Sequence, residues 1–162
     1  MPETVYLSLG SNVGDRSARL RGAVARLCAE GRVLTVSSFY ETEPVDFTEQ
    51  PWFLNCVVAL ETSQTPAQLM DAILRIEKDM GRRRRRRHKG PRSIDIDILL
   101  FGNAIIHSPE LEIPHPAMHK RRFVLEPLAE IAPQVLHPTF SKTIGELRDT
   151  LSPGQIVRKP RA

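Results

Sequence analysis

Two carboxylates, Asp95 and Asp97, stand at alternate positions of the run Ser93-Ile94-Asp95-Ile96-Asp97-Ile98-Leu99-Leu100-Phe101. On a β-strand, residues i and i+2 project from one face about 6–7 Å apart. The pair therefore points together, while Ile94, Ile96 and Ile98 line the opposite, buried face. Neighbouring carboxylates repel, and burying them is costly unless a cation shares the site. Hard divalent cations such as Mg²⁺ are commonly held by one or two carboxylates together with substrate phosphates. Six consecutive guanidiniums, Arg82 to Arg87, and then Gly90-Pro91-Arg92 precede the pair, and they could bind the rest of a polyphosphate. Alternation equally describes a strand with its polar face in water. An arginine run equally describes a solvated loop or an RNA-contacting patch.

Three further groups could take part. Phe53 and Asn55 share a face of an otherwise apolar strand. An amide that both donates and accepts, beside an aromatic ring, suits a flat heterocycle, although a satisfied core asparagine fits too. Ile113-Pro114-His115-Pro116, followed by Arg121-Arg122-Phe123, clusters an imidazole, guanidiniums and a ring; next to a polyphosphate the histidine is a candidate donor. Glu77 lies one position from an apolar helical stripe, where an exposed helix carboxylate is the simplest reading. The sequence contains no G-x-x-x-x-G-K-[ST] loop, no G-x-G-x-x-G at a strand end, no nucleophile elbow and no zinc-type histidine spacing.

The elements that must position these groups follow from periodicity and punctuation. Thr4 to Leu9 alternates as a first strand, and Gly10 to Asp15 has turn chemistry. A helix runs from about Asp15 to Glu30 on the stripe Leu20, Val24, Leu27 and Cys28, and Gly31 ends it. Val33 to Tyr40 is a second strand, Glu41 to Trp52 a loop, and Phe53 to Thr62 a third strand. Thr65, Pro66 and Gln68 form a capping box with proline at the first helical position. They open a helix on Leu69, Ile73, Ile76 and Met80. Ser93 to Phe101 is the fourth strand, and Ala104 to Ile106 pairs as a short hairpin. The order β-α-β-β-α-β predicts an α+β, ferredoxin-like core, an antiparallel sheet flanked by helices. A C-terminal extension with short helices near Arg122–Ile131 and Ile144–Leu151 follows it.

At 162 residues the chain has room for one core. It reads as a single domain over residues 1–151 and a loose basic tail over 152–162. Hydrophobic residues make up 41% and charged residues 26%, the balance of a soluble globular protein. There is no apolar run of membrane-spanning length and no signal-peptide pattern. Cys28 and Cys56, without CxxC spacing, read as buried reduced thiols of a cytoplasmic protein. The net charge is +4, but without Arg82 to Arg87 there remain 17 basic against 19 acidic residues. The charge is thus one local loop, which favours an anion site over a general nucleic-acid coat.

Taken together, S-S-F-Y-E-T-E-P (37–44), Phe53-Leu54-Asn55, Ile76-Glu77, Gly81-Arg82, G-P-R-S-I-D-I-D-I-L-L (90–100), I-P-H-P-A-M (113–118) and R-F-V-L-E-P-L (122–128) resemble the 6-hydroxymethyl-7,8-dihydropterin pyrophosphokinase family. The resemblance runs from Leu9 to about Leu151. It implies transfer of the β,γ-pyrophosphate of ATP to the pterin's hydroxymethyl oxygen in folate biosynthesis, leaving AMP. It implies two Mg²⁺ ions at Asp95 and Asp97, and catalytic arginines at Arg82 and Arg92. Glu77, Arg84, Ile98, His115 and Arg121 match positions around ATP; Arg122 is the one-residue alternative to Arg121, and spacing to Phe123 favours Arg121. Phe53 and Phe123 match the pair that sandwiches the pterin, Asn55 the amide that reads its edge, and Thr42 and Val45 the pocket lining. One departure is Lys89, where many members carry an aromatic residue. The resemblance implies a monomer acting on ATP and the pterin, with neither nucleic acid nor membrane as partner. The rival expectation is an RNA-binding ferredoxin-like module, although the aromatic RNP signature is absent.

Overall fold

The computed structural model describes residues 2–43, 51–81, 93–154 and 157–160. Its elements are β1 (Glu3–Ser11), α1 (Arg16–Leu27), β2 (Arg32–Val36), β3 (Tyr40–Thr42), β4 (Phe53–Thr62), α2 (Pro66–Asp79), β5 (Asp95–Phe101), β6 (Ile106–His107), β7 (Glu112–Ile113), α3 (Arg122–Ile131), α4 (Ile144–Asp149) and β8 (Val157–Arg158). In the main sheet the order is β5-β1-β4-β3-β8, with β2 also on β4. All the pairings are antiparallel. This is the α+β, ferredoxin-like arrangement that the order of elements implies.

Local chemistry explains the helices. Asp15 caps α1 by accepting from the Ala18 N–H at 3.0 Å. The Thr65–Gln68 capping box of α2 is present in both directions. Both helices bury their stripes on one face of the sheet: Leu20, Ala23 and Leu27 from α1, and Leu69, Ile73 and Ile76 from α2, meet Val5, Leu7, Leu9, Cys56, Val58, Ile96 and Ile98. The extension covers the opposite face. Val124, Leu125 and Leu128 of α3 and Ile144 and Leu147 of α4 pack on Val57, Leu99 and Leu100. The sheet therefore lies between two helical layers.

Several sequence expectations are corrected. The second strand is two pieces, since Ser37 leaves the ladder and instead bonds Val57 through its own N–H and Oγ; β3 then extends into the expected loop as far as Thr42. Ile106 and His107 pair with Glu112 and Ile113. Residues 157–158, within the expected loose tail, pair with β3. Cys28 is exposed because it follows the last buried position of α1. Cys56 is buried, and that burial pushes its thiol up to about 12. Gly10 and Ser11, expected in a turn, belong to β1.

One acid-sensitive element lies in the extension. His137 is buried, and its Nδ1 accepts from the Thr139 and Phe140 N–H groups at 3.2 and 3.4 Å. Burial and the neighbouring His119 lower its pKa. His115 is lowered to about 4, first by burial and then by Arg121. A histidine whose folded pKa lies below its unfolded value contributes stability fully present above about pH 6.5 and lost as pH falls toward the folded value. Thermal midpoints should therefore be level from pH 8 to 7 and decline as the buffer is taken from pH 6.5 toward 4. A midpoint that rose on acidification would contradict this assignment.

Candidate functional site

The ladders place the chemistry-bearing side chains in rows across the sheet. Asp97 pairs with Ser8, and Ser8 with Val57. One step along, Asp95 pairs with Gly10, Gly10 with Asn55, and Asn55 with Tyr40. The next step pairs Phe53 with Thr42, and Thr42 with Val157. Directly paired residues share a face, and Val57 lies in the core beneath α3 and α4. Asp95, Asp97, Asn55, Phe53 and Thr42 are therefore all on the face that the extension covers. Phe123, in the first turn of α3, packs against the edge of that core.

Gly10 is needed in this row. A Cβ there would stand 2.4 Å from Asn55 Oδ1 and 3.7 Å from Phe53 Cδ1, so the amide lies over bare backbone. Buried Asn55 donates from Nδ2 to Thr42 Oγ1 at 2.6 Å, which fixes the amide plane. The sequence places Gly10 in a turn; the signal for this close approach is that it continues the Tyr6 and Ser8 face of the strand.

Asp95 and Asp97 are half-buried, while Ile96 and Ile98 between and after them are buried among α1 and α2. A bulge lies beyond: Tyr6 pairs with Leu100 and Leu7 with Ile98, so Leu99 is the extra residue. It lets Leu99 and Leu100 both enter the core under α3. The Ile98 side chain is thus core, which leaves only its main chain for a ligand.

Glu77 departs from the simplest reading of the sequence. It is 3% exposed, and its Oε2 accepts from the Ile96 N–H at 2.9 Å. It satisfies a backbone donor between the two aspartates, so its carboxylate fixes the strand that carries them.

His115 is tied to β5 through its N–H, which donates to the Leu99 carbonyl at 3.0 Å. Its Nδ1 accepts from the Ala117 N–H at 3.1 Å, and Arg121 and Asp95 are both close enough to act on its charge. With its pKa lowered to about 4, the ring is neutral near pH 7 and carries its proton on Nε2, free to donate. The Arg121 guanidinium lies 5.4 Å from the centre of the Phe123 ring, so cation and ring face one another.

The structure therefore sets Asp95, Asp97, Asn55, Phe53 and Thr42 on one face of the sheet, ties His115 and Glu77 to β5, and sets Arg121 against Phe123 at the start of α3. Arg82, Arg84, Arg92, Val45 and Lys89 lie outside the described residues. Among the described residues there is no group of three or more His, Cys, Asp or Glu side chains able to hold a metal. Two carboxylates alone would leave a cation to complete its shell from a ligand's oxygens, the arrangement in which Mg²⁺ is commonly bound with phosphates.

A family model described as 7,8-dihydro-6-hydroxymethylpterin-pyrophosphokinase matches residues 6–133. The chain is 47% identical over 137 residues to the 2-amino-4-hydroxy-6-hydroxymethyldihydropteridine pyrophosphokinase of Bacillus subtilis, covering 83% of this chain and 81% of that one. It is 42% identical over 152 residues to the enzyme of the same name from Aquifex aeolicus, covering 93% and 94%. Among solved structures, Plasmodium falciparum HPPK-DHPS with pterin and p-hydroxybenzoate superposes with a TM-score of 0.74 at 18% identity. The match covers 92% of this chain and 43% of that longer one. At that identity the likeness carries the fold alone.

Proposed function

The chain belongs to the 7,8-dihydro-6-hydroxymethylpterin-pyrophosphokinase family, and from that premise we propose that it transfers pyrophosphate from ATP to 6-hydroxymethyl-7,8-dihydropterin. The pterin hydroxymethyl oxygen attacks the β-phosphorus, the bond from that phosphorus to the α,β-bridging oxygen breaks, and AMP leaves. The observation that carries the reading is the row Asp95–Gly10–Asn55, with Asp97 opposite Ser8 in the next row, because it puts two carboxylates and a buried amide suited to a heterocycle's edge on one face. An RNA-binding role gains no support, since an acidic pair on that face would repel a phosphate backbone.

Each side chain has a part in this reading. Phe53 and Phe123 hold the pterin ring between them, and Asn55, braced by Thr42, pairs with its polar edge. Asp95 and Asp97 would hold Mg²⁺, which when bound neutralises phosphate charge and aligns the oxygens of the transfer. Neutral His115 donates from Nε2 to a phosphate oxygen, and Arg121 adds a fixed cation. Arg82 and Arg92, and Arg84 beside them, would grip the triphosphate through charge-assisted forks. Positioning and charge stabilisation account for most of such a transfer.

The test is to incubate the protein with ATP, Mg²⁺ and 6-hydroxymethyl-7,8-dihydropterin and to resolve the nucleotides. AMP should appear in step with the pterin pyrophosphate and depend on both substrates. Formation of ADP, or of no AMP, would overturn the reading.

A further inference from the structure

The C-terminal end of the described chain meets residues of the candidate site twice. Leu151, Ser152 and Gly154 line a cavity of about 210 Å³ with Arg121 and Phe123. Farther on, Arg158 and Val157 pair with Glu41 and Thr42 as the strand outside β3. The Arg158 guanidinium lies 4.6 Å from the centre of the Trp52 ring, and its Nε is 3.6 Å from Glu41 Oε1. The other oxygen of Glu41 accepts from Arg16 Nη2 at 2.9 Å, and Arg16 Nη1 donates to the Trp52 carbonyl at 3.1 Å. One carboxylate between two guanidiniums thus ties α1, β3, β8 and the residue just before β4 together. Thr42 and Phe53 are the next residues along from Glu41 and Trp52.

We infer that Arg158 is a positioning residue for the heterocycle pocket, and that β8 is the pocket's outer strand. The inference rests on reading Thr42, Phe53, Asn55 and Phe123 as the pterin site. Arg158 is 60% exposed in its side chain, and a single exposed ion pair contributes little to stability. Its geometry matters more. Stacked on Trp52 and paired with Glu41, it holds both ends of the wall that carries Thr42 and Phe53, and small displacements of such walls change binding. Among the described residues, the hydrogen bonds, ion pairs and ring contacts of this cluster stay on Arg16, Glu41, Trp52 and Arg158, so the effect is confined to one substrate.

The test compares Arg158→Ala and Arg158→Lys with the unsubstituted full chain. Binding of 6-hydroxymethylpterin, followed by the ring's own fluorescence, should weaken about 5- to 10-fold in Arg158→Ala, and KM for the reduced pterin should rise in parallel. KM for ATP and kcat should stay within about twofold, because the phosphate side is untouched. Arg158→Lys should fall between, since it keeps the charge and loses the planar stack. Pterin affinity within twofold of the parent in Arg158→Ala would overturn the inference alone. So would equal losses for pterin, ATP and thermal midpoint, which would mark a general loosening of the fold. Failure of the unsubstituted chain to bind pterin would overturn the functional reading beneath it as well.

Discussion

Asp97→Asn is expected to lower kcat by about 10³-fold, the scale of losing a preorganised charge at a developing anion. The substitution keeps the shape of the side chain and the backbone pairing of β5 with Ser8. It removes one of the two anionic donors available to a cation. The thermal midpoint should stay within about 3 °C of the parent, since the side chain is only half-buried and is not part of the apolar core of Val57 and Leu99. The Mg²⁺ concentration for half-maximal AMP release should rise at least about tenfold, the range seen when metal-site groups are altered. Parental turnover with an unchanged Mg²⁺ dependence would remove Asp97 from the metal site.

Glu77→Leu is the second large effect. It strips the acceptor from the buried Ile96 N–H, and an orphaned buried donor costs about 1–3 kcal/mol. The strand that presents Asp95 and Asp97 loses its outer support, so activity should fall about 10- to 100-fold, the scale for groups that orient metal ligands. Glu77→Gln separates this from a direct role for the charge. Its amide oxygen can still accept from Ile96, and it should keep most of the activity and stability. If Glu77→Gln were as damaged as Glu77→Leu, the carboxylate would act through its charge rather than through the strand.

What the sequence revealed follows physical lines. The α2 capping box is local, and both partners are three residues apart, so its letters sufficed. The faces of β4 and β5 follow from period-two alternation, which is why Phe53 could be grouped with Asn55, and Asp95 with Asp97, from the letters alone. Glu77 could not be read this way. Its acceptor role depends on a strand 19 residues later, and one position off a helical stripe is ambiguous between buried and exposed. The break between β2 and β3 depends on the Ser37 hydroxyl finding Val57 across the sheet. Likewise β8 shows no alternation over two residues; its place is set by Glu41 and Trp52, far away in sequence. The extension's helices were legible, but not which face they cover, because that is decided by the bulge at Leu99 and the core it creates.

The row Asp95–Gly10–Asn55 also acts as a ruler. Adjacent strands lie about 4.8 Å apart, so the backbone that carries the carboxylate and the backbone that carries the amide stand two strand spacings apart, about 10 Å, an interval set by backbone hydrogen bonds. Side-chain substitutions change how firmly each end grips but not the interval between grips. Changing the interval would need a slip of β1, and a slip of one residue would bring a leucine or a serine into the place of Gly10 and turn its faces over. The tolerance for how far apart two reacting groups can be held is therefore inherited from the main chain, and any alternative substrate pair must span the same length.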